Sequence, residues 1–378
     1  MLTIRYYRSS DHEIWDNYVR NHPNGTLYHL SGWENVIEET YGHKSYYLMA
    51  LANSNNPSNP TNHNNRIVGI LPLIHMKHFL FGNKLVSMPF FDMGGILADN
   101  ETAEKALLME AIRLALKLGV GIVEFRHTNP LNWLTSSLQQ SNSLAGEKPA
   151  NQLPGISCAT SSHKVRLLLE LPDSSEALMK SFKSKLRSQV KKPMKEGLKA
   201  VIGGEDLVED FYYVFSINMR DLGSPVHAKK LMKNVIQQFP DEARIIVVYK
   251  NREPMACSIV IGFKDVLENL WASALRKYSR LAPNMLLYWT MLEYACNKGC
   301  RYFDFGRSSP GEGTYKFKQQ WGAHPNPLYW QYVSLDEGKV AVPGSEKSRF
   351  DRAIYYWKKL PVPLTKLIGP MIRRHIRL

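Results

Sequence analysis

Short apolar runs alternate with longer amphipathic stretches along this chain, and their order is the first thing the sequence specifies. Arg66-Ile-Val-Gly-Ile-Leu-Pro-Leu73 has the apolar, β-branched content of a buried strand. Glu101 to Leu118 spaces its apolar residues as an amphipathic helix does, and Gly119-Val-Gly-Ile-Val-Glu-Phe-Arg126 reads as the next strand. The same order returns about 180 residues later, as the strand Pro254-Met-Ala-Cys-Ser-Ile-Val-Ile261, the helix Asn284 to Lys298 and the strand Gly299-Cys-Arg-Tyr-Phe-Asp-Phe305. Gly119 then matches Gly299, and Glu124-Phe125 matches Asp304-Phe305. A glycine after each helix suits a left-handed C-terminal cap. The pattern predicts an α/β (α+β) fold of two related halves, each a mixed β-sheet flanked by helices.

Two stretches break the periodicity. Ala52 to Asn65 is rich in Asn, Pro and Ser and predicts a solvated loop, and Asn129 to His163 predicts the connection between the halves. A chain of 378 residues has the length of two domains. The expected division is 1–160, 161–330, and a third segment, 331–378, that holds a strand and a basic, aromatic tail. From Arg349 through Tyr355-Tyr-Trp-Lys-Lys359 to Ile372-Arg-Arg-His-Ile-Arg-Leu378, that tail suits either peripheral attachment to an anionic membrane face or packing on the first domain. Prolines 361, 363 and 370 break any long helix in it.

With 44% hydrophobic and 22% charged residues, the composition is that of a folded protein. No apolar run approaches the roughly 18 residues of a membrane span. Arginines at positions 5 and 8 stand where a signal peptide would have its apolar core, so a cytoplasmic location is expected, with the inner face of the membrane as a place of attachment. Four cysteines are too few for a disulfide framework; Cys296 and Cys300, four apart on the predicted helix, read as buried small side chains, and no metal site is expected. The net charge of +14 favours polyanionic partners: phosphorylated cofactors, transfer RNA, sugar nucleotides or anionic lipid. Leu178 to Lys199 concentrates it, with Lys180, Lys183, Lys185, Arg187, Lys191, Lys192, Lys195 and Lys199 on one predicted helix that Pro193 should interrupt. Such a stripe is either a solvated face or a polyanion contact, with Arg187 and Lys191 as candidate phosphate-binding residues.

Tyr302-Phe-Asp-Phe-Gly-Arg-Ser-Ser309, followed by Gly313-Thr-Tyr-Lys-Phe-Lys-Gln-Gln-Trp-Gly-Ala323, resembles the closing motif of FemAB-like transferases, in which an Asp-Phe-Gly strand end precedes an aromatic-Lys-x-x-aromatic-Gly turn. Tyr28-His-Leu-Ser-Gly-Trp33, Ser87-Met-Pro-Phe-Phe-Asp-Met-Gly-Gly95, the basic helix around Arg187 and Met219-Arg-Asp-Leu-Gly-Ser-Pro225 extend the likeness over most of residues 27–330. Within that superfamily the sequence is most similar to the FemAB-related proteins associated with PEP-CTERM and exosortase systems. The resemblance implies two tandem GNAT-like domains, the first on the acceptor side. It also implies transfer of an acyl or aminoacyl group, from acyl-coenzyme A or aminoacyl-tRNA, to an amine on a glycan or peptide acceptor such as a cell-envelope or exopolysaccharide precursor. No covalently bound cofactor is implied. An acetyltransferase of the GNAT type holds the coenzyme A pyrophosphate with an Arg/Gln-x-x-Gly-x-Gly/Ala loop. Here Arg276-Lys-Tyr-Ser-Arg-Leu-Ala-Pro-Asn284 has no glycine, which leaves the donor open; Arg276, Lys277, Arg280 and Asn284 could still meet a phosphate at the helix start.

Acyl transfer to an amine needs a neutral amine, an ester or thioester held beside it, and a positive or hydrogen-bonding group at the developing oxyanion. The chain has no Gly-x-Ser-x-Gly elbow and no Ser/His/Asp or Cys/His set. Lys318 is the candidate group to stabilise the oxyanion or the leaving group, or else a solvated lysine. Asp304 orients an amine or accepts a proton, or else holds the loop Gly306 to Gly313 in shape. Arg307 and Ser308 suit contact with phosphate or carboxylate. Tyr315, Phe317 and Trp321 either stack on substrate or pack in the core. In the first half, Tyr28, Trp33, Ser87, Asp92, Gly94 and Gly95 are candidate acceptor contacts on the strength of the resemblance; Gly94-Gly95 alternatively makes only a tight turn. The competing reading is a non-catalytic RNA- or membrane-surface-binding protein on a transferase scaffold.

Overall fold

The computed structural model describes residues 2–52, 66–134, 156–335 and 347–377. They form two compact units. One comprises 1–163, 327–345 and 375–378, and the other 164–326 and 346–374. The expected mixed-sheet α/β architecture is what the chain adopts.

The first unit runs β1 (Leu2–Tyr6), α1 (His12–Asn21), α2 (Gly32–Tyr41), β2 (Lys44–Ser45), β3 (Leu48–Ala52), β4 (Arg66–Leu71), β5 (Ile74–His78), β6 (Gly82–Val86), β7 (Leu97–Ala98), α3 (Glu101–Lys117), β8 (Ile122–His127) and β9 (Ser157–Ser161). A returning strand, Tyr329–Ser334, completes it. One sheet has the order β1-β3-β4-β7, and the other β2-β5-β6-β8-(329–334)-β9. The apolar run from Arg66 ends as a strand at Leu71 because Pro72 has no N–H to give a ladder. Asn100 caps α3 by accepting from the Ala103 amide at 3.0 Å. At its other end Gly119 takes φ +63°. There the Gly119 amide reaches the Leu116 carbonyl at 3.2 Å and the Val120 amide reaches Ala115 at 2.8 Å, a Schellman closure. The chain returns as β8, parallel to β6, with Lys84, Leu85 and Val86 beside Ile122, Val123 and Glu124. The apolar face of α3, including Leu107, Ala111 and Ala115, covers a core with Leu48, Leu85 and Val123.

The second unit contains β10 (Val165–Glu170), α4 (Ser175–Ser181), α5 (Ser184–Lys195), β11 (Lys199–Gly203), α6 (Val208–Leu222), α7 (Lys229–Gln238), β12 (Ala243–Lys250), β13 (Glu253–Phe263), β14 (Val266–Ala274), α8 (Pro283–Asn297), β15 (Tyr302–Ser308), α9 (Gly313–Gln319) and β16 (His324–Pro327), followed by α10 (Lys347–Trp357) and α11 (Val362–Arg373). Its seven strands order β11-β12-β13-β14-β15-β10-β16. The construction of the first unit recurs here. Gly299 takes φ +70°, its amide meets Cys296 at 2.9 Å and the Cys300 amide meets Ala295 at 3.0 Å. β15 then runs parallel to β14 with Val266, Leu267 and Glu268 beside Tyr302, Phe303 and Asp304. Glu124 and Asp304 thus end the same three-residue parallel ladder in each unit.

Several expectations are corrected. The strand Tyr329–Ser334 is no part of a separate C-terminal segment, because both its edges are paired in the first unit, with β8 and with β9. β9 itself lies in what read as an interdomain connection. Leu178 to Lys199 is two helices and the start of a strand; the backbone turns extended at Phe182 (ψ 146°) and Lys183 (ψ 148°), which divides the cationic stripe. Pro193 does not interrupt α5, since it sits in the last turn, where only one carbonyl loses its partner before the helix ends at Lys195. Cys300 lies beyond α8, not on it. The tail forms α10 and α11 in the second unit, while residues 375–378 belong to the first. The loop expected at 52–65 lies, after Ala52, outside the described residues, as do 135–155 and 336–346.

Candidate active site

The parallel ladder between β14 and β15 stops at Glu268 and Asp304, though β14 continues to Ala274 and β15 to Ser308. A bulge at Leu270, between the pairs Ile259–Trp271 and Val260–Asn269, bends β14 at that point. β15 carries Gly306 in the left-handed region, at φ +74°, where a Cβ would stand 3.2 Å from the Asn269 carbonyl oxygen. Beyond it, Arg307 and Ser308 pair with Arg166 and Val165 of β10. The two parallel strands part at their carboxyl ends, which is where α/β sheets take their ligands. α8, which connects them, begins at that same end.

Asp304 sits at the parting, 1% exposed. Its Oδ1 accepts from the Gly306 amide at 2.8 Å, and its Oδ2 is 3.4 Å from Nη1 of Arg166. Glu268, also buried, stands beside it in register. Lys318 comes from α9, and its Nζ donates to the Gly306 carbonyl at 3.0 Å and the Arg307 carbonyl at 2.8 Å. It is a buried ammonium fastened to the strand end, not a solvated lysine. Across the parting, Tyr288 of α8 stacks on Phe305 at 5.7 Å. Burial pushes its phenol up to about 12, against a hydrogen bond with Asn269, so it stays protonated at neutral pH. Asn269 in turn accepts from the Ser258 hydroxyl at 2.8 Å. Ser308 is buried, with no hydrogen-bond partner for its Oγ among the described residues.

The remaining candidates of this half divide. Trp321, 1% exposed, is a core residue edge-on to Phe182 at 5.6 Å. Phe317 and Tyr315 are half-buried against the same core, Phe317 edge-on to Tyr288 at 4.9 Å. The Arg187 guanidinium caps the end of α4, donating to the carbonyls of Lys180 at 3.2 Å and Phe182 at 3.0 Å. Lys191 is exposed. Arg276 and Arg280 are exposed on the short helix Arg276–Leu281 that precedes α8, Lys277 pairs with Glu253 at 2.9 Å, and Asn284 is half-buried in the first turn of α8.

In the first unit the candidates are mostly buried. Trp33 is fully buried, its Nε1 donating to the Leu27 carbonyl at 2.9 Å, and Tyr28 stacks on Phe91 at 4.9 Å. The buried Ser87 hydroxyl accepts from the Arg126 amide at 2.9 Å, and the Asp92 carbonyl accepts from Trp330 Nε1 at 3.1 Å. Gly94 and Gly95 permit close packing: a Cβ on Gly94 would fall 2.5 Å from Met88 Cγ, and one on Gly95 would fall 2.3 Å from His127 Cδ2. Both glycines line a cavity of about 100 Å³ with Thr26, His29, Glu104 and His127.

Arg166, Glu268, Asn269 and Tyr288 also meet where β14 and β15 part, though no motif in the sequence points to them. Arg166 had a readable signal, a lone cation in the apolar alternation of Val165-Arg-Leu-Leu-Leu169. The others read as ordinary strand or helix positions.

Residues 180–319 match the family model of the acetyltransferase (GNAT) domain. The matched segment holds β14, α8, β15 and Lys318, so the parting strands lie within a GNAT-type domain. Among solved structures, the chain is similar to FemX, at 14% identity and a TM-score of 0.63, over 87% of this chain and 96% of that one. It is also similar to the C-terminal domain of a candidate lysylphosphatidylglycerol synthetase from Agrobacterium fabrum, at 10% identity and a TM-score of 0.51, over 93% and 95%. A conserved protein of unknown function from Bacteroides thetaiotaomicron matches at 8% identity and a TM-score of 0.52, over 88% and 100%. These are likenesses of fold. No curated protein matches the sequence. The GNAT-type domain supports a transferase role for the second unit. Among the described residues, no helix is long and apolar enough to cross a membrane.

Proposed function

We propose that this protein is an N-acyl- or aminoacyl-transferase whose reaction takes place where β14 and β15 part. The observation that carries this reading is the end of their ladder at Glu268 and Asp304, with the Lys318 ammonium fastened to the carbonyls of Gly306 and Arg307. An acyl donor would lie at this strand end with its carbonyl toward that positive charge. The acceptor amine attacks the carbonyl carbon; a C–N bond forms, the C–O or C–S bond to the donor breaks, and the amine's proton passes to the leaving group or to water. Lys318 stabilises the oxyanion between these events. Asp304 acts through its neighbours, holding the Gly306 amide and Arg166 so that the carbonyl anchors of Lys318 stay in place. The neutral Tyr288 phenol is a suitable donor to the leaving group.

Ser308, whose buried hydroxyl has no hydrogen-bond partner among the described residues, and Arg307 beside it suit a phosphate or carboxylate of the substrate. Arg276, Arg280 and Lys191 are exposed cations for the phosphates of acyl-coenzyme A or aminoacyl-tRNA. The FemAB resemblance points to an amine on a cell-envelope or exopolysaccharide precursor, within a PEP-CTERM/exosortase setting, with the first unit on the acceptor side and the reaction in the cytoplasm. The test is turnover by the purified chain of acetyl- and longer acyl-coenzyme A and of aminoacylated transfer RNA, each with amino-sugar and peptide amines. Turnover of one donor class that fails in the Lys318→Ala variant supports the reading. Inactivity with every donor, or full activity of that variant, contradicts it.

A further inference from the structure

We propose that the outer face of α11 seats this protein on an anionic lipid bilayer, an assignment that stands independently of the reaction given to the second unit. Thr365 and Gly369, one turn apart, face the protein. Thr365 is 1% exposed, and Gly369 lies so close to Val226 that a Cβ would stand 3.0 Å from its Cγ1 and its backbone nitrogen. The opposite side carries Leu364, Leu367 and Met371, which are 41%, 69% and 65% exposed. Their spacing aligns them in a single stripe. On α10, Tyr355 and Tyr356 are 56% and 66% exposed.

The charges around the stripe decide its occupant. Residues 351–374 contain six lysines and arginines against one acid, Asp351; of the six, Arg373 is turned to the buried His227, to which it donates at 2.9 Å. Lys358 and Lys359, just after α10, and Lys366, within α11, are exposed. A second copy of the chain would bring the same cations face to face and be repelled. Nucleic acid would satisfy the cations but leave Leu367 and Met371 in water. A bilayer with anionic headgroups answers both: the aliphatic side chains enter the boundary of the acyl region, the tyrosines stay at headgroup level, and the lysines meet phosphates. A helix of 12 residues is about 18 Å long, suited to lying in the interface and too short to cross it.

The test is flotation of the full chain with vesicles of mixed phosphatidylglycerol and phosphatidylcholine, compared with phosphatidylcholine alone. Wild-type protein should float with the anionic vesicles and much less with the neutral ones. Leu367→Ser/Met371→Ser should weaken the anionic binding about tenfold or more without changing the melting curve, because both side chains are exposed. Lys358→Gln/Lys359→Gln should weaken it too. The β5–β6 hairpin tip supplies the control, since Phe79 and Leu80 are 87% and 73% exposed there; Phe79→Ser/Leu80→Ser should bind as wild type. The proposal is overturned if wild type ignores anionic vesicles, if the α11 double variant floats unchanged, or if the hairpin variant alone loses binding. It is equally overturned if gel filtration shows a dimer that the α11 variant dissolves.

Discussion

Arg166 and Asp304, 138 positions apart in the chain, meet as an ion pair of 3.4 Å at the point where the parallel strands separate. Asp304 is buried, so removing its partner leaves a carboxylate in a poorly solvated place, whereas removing both charges does not. Arg166→Met should therefore destabilise the second unit by about 1–3 kcal/mol, and the same change in an Asp304→Asn background should cost clearly less. Denaturant titration of the four proteins of this cycle measures the coupling. Additive effects would mean that the two residues act separately.

Gly95 and Gly119 separate two reasons for a glycine. Gly95→Ala drives a methyl to 2.3 Å from the buried His127 ring and 2.9 Å from the Arg126 carbonyl, so it should cost the first unit about 3 kcal/mol or more. Gly119→Ala meets nothing within 4 Å and bears only the left-handed φ of +63°, at about 1 kcal/mol. Equal costs in urea titrations would reject the steric account of Gly95.

Buried His127 gives the first unit a pH dependence. Burial, with His29 nearby, holds its ring down to about 3, and its Nε2 accepts from the Ile96 amide at 3.0 Å, so it is neutral when folded. In the unfolded chain it takes a proton near its ordinary value of 6.5. Its contribution is therefore complete above about pH 6.5 and falls as the pH drops toward the folded value, by at most about 1.4 kcal/mol per pH unit. His127→Gln, which keeps an acceptor for Ile96, should flatten the decline in melting temperature between about pH 7 and pH 5. An unchanged slope would assign that decline to other groups.

Much of the architecture was legible because it is local. The helix after Glu101 and the helix after Pro283, each closed by a glycine and followed by an aromatic-acidic strand, are written in consecutive residues, and the periodicity finds them. What the pattern could not carry was pairing. Tyr329–Ser334 alternates in the same way whichever sheet it joins, and nothing in it names β8 and β9 as its neighbours. The site shows the same division. Asp304, Gly306 and Lys318 stood out because they share one motif, while Arg166 reaches them from β10, and Asn269 and Tyr288 from the far side of the parting. Burial was hidden for a further reason: Tyr28, Trp33 and Trp321 look alike in sequence whether they face a ligand or fill a core.

Lys318 links the site's construction to its chemistry, and one substitution series separates the two. Lys318→Arg keeps a cation near the strand end, and Lys318→Met keeps the bulk of the chain but neither the charge nor the bonds to Gly306 and Arg307. If those bonds were only structural, both variants should lose stability in step with activity. The most direct measurement is the single-turnover rate of acyl transfer to an amine by the folded fraction of wild type, Lys318→Arg and Lys318→Met, with whichever donor the wild type accepts. The proposed chemistry predicts a loss of about a hundredfold or more for Met, partial activity for Arg, and folded protein in both cases. A folded Met variant that transfers as fast as wild type would contradict it.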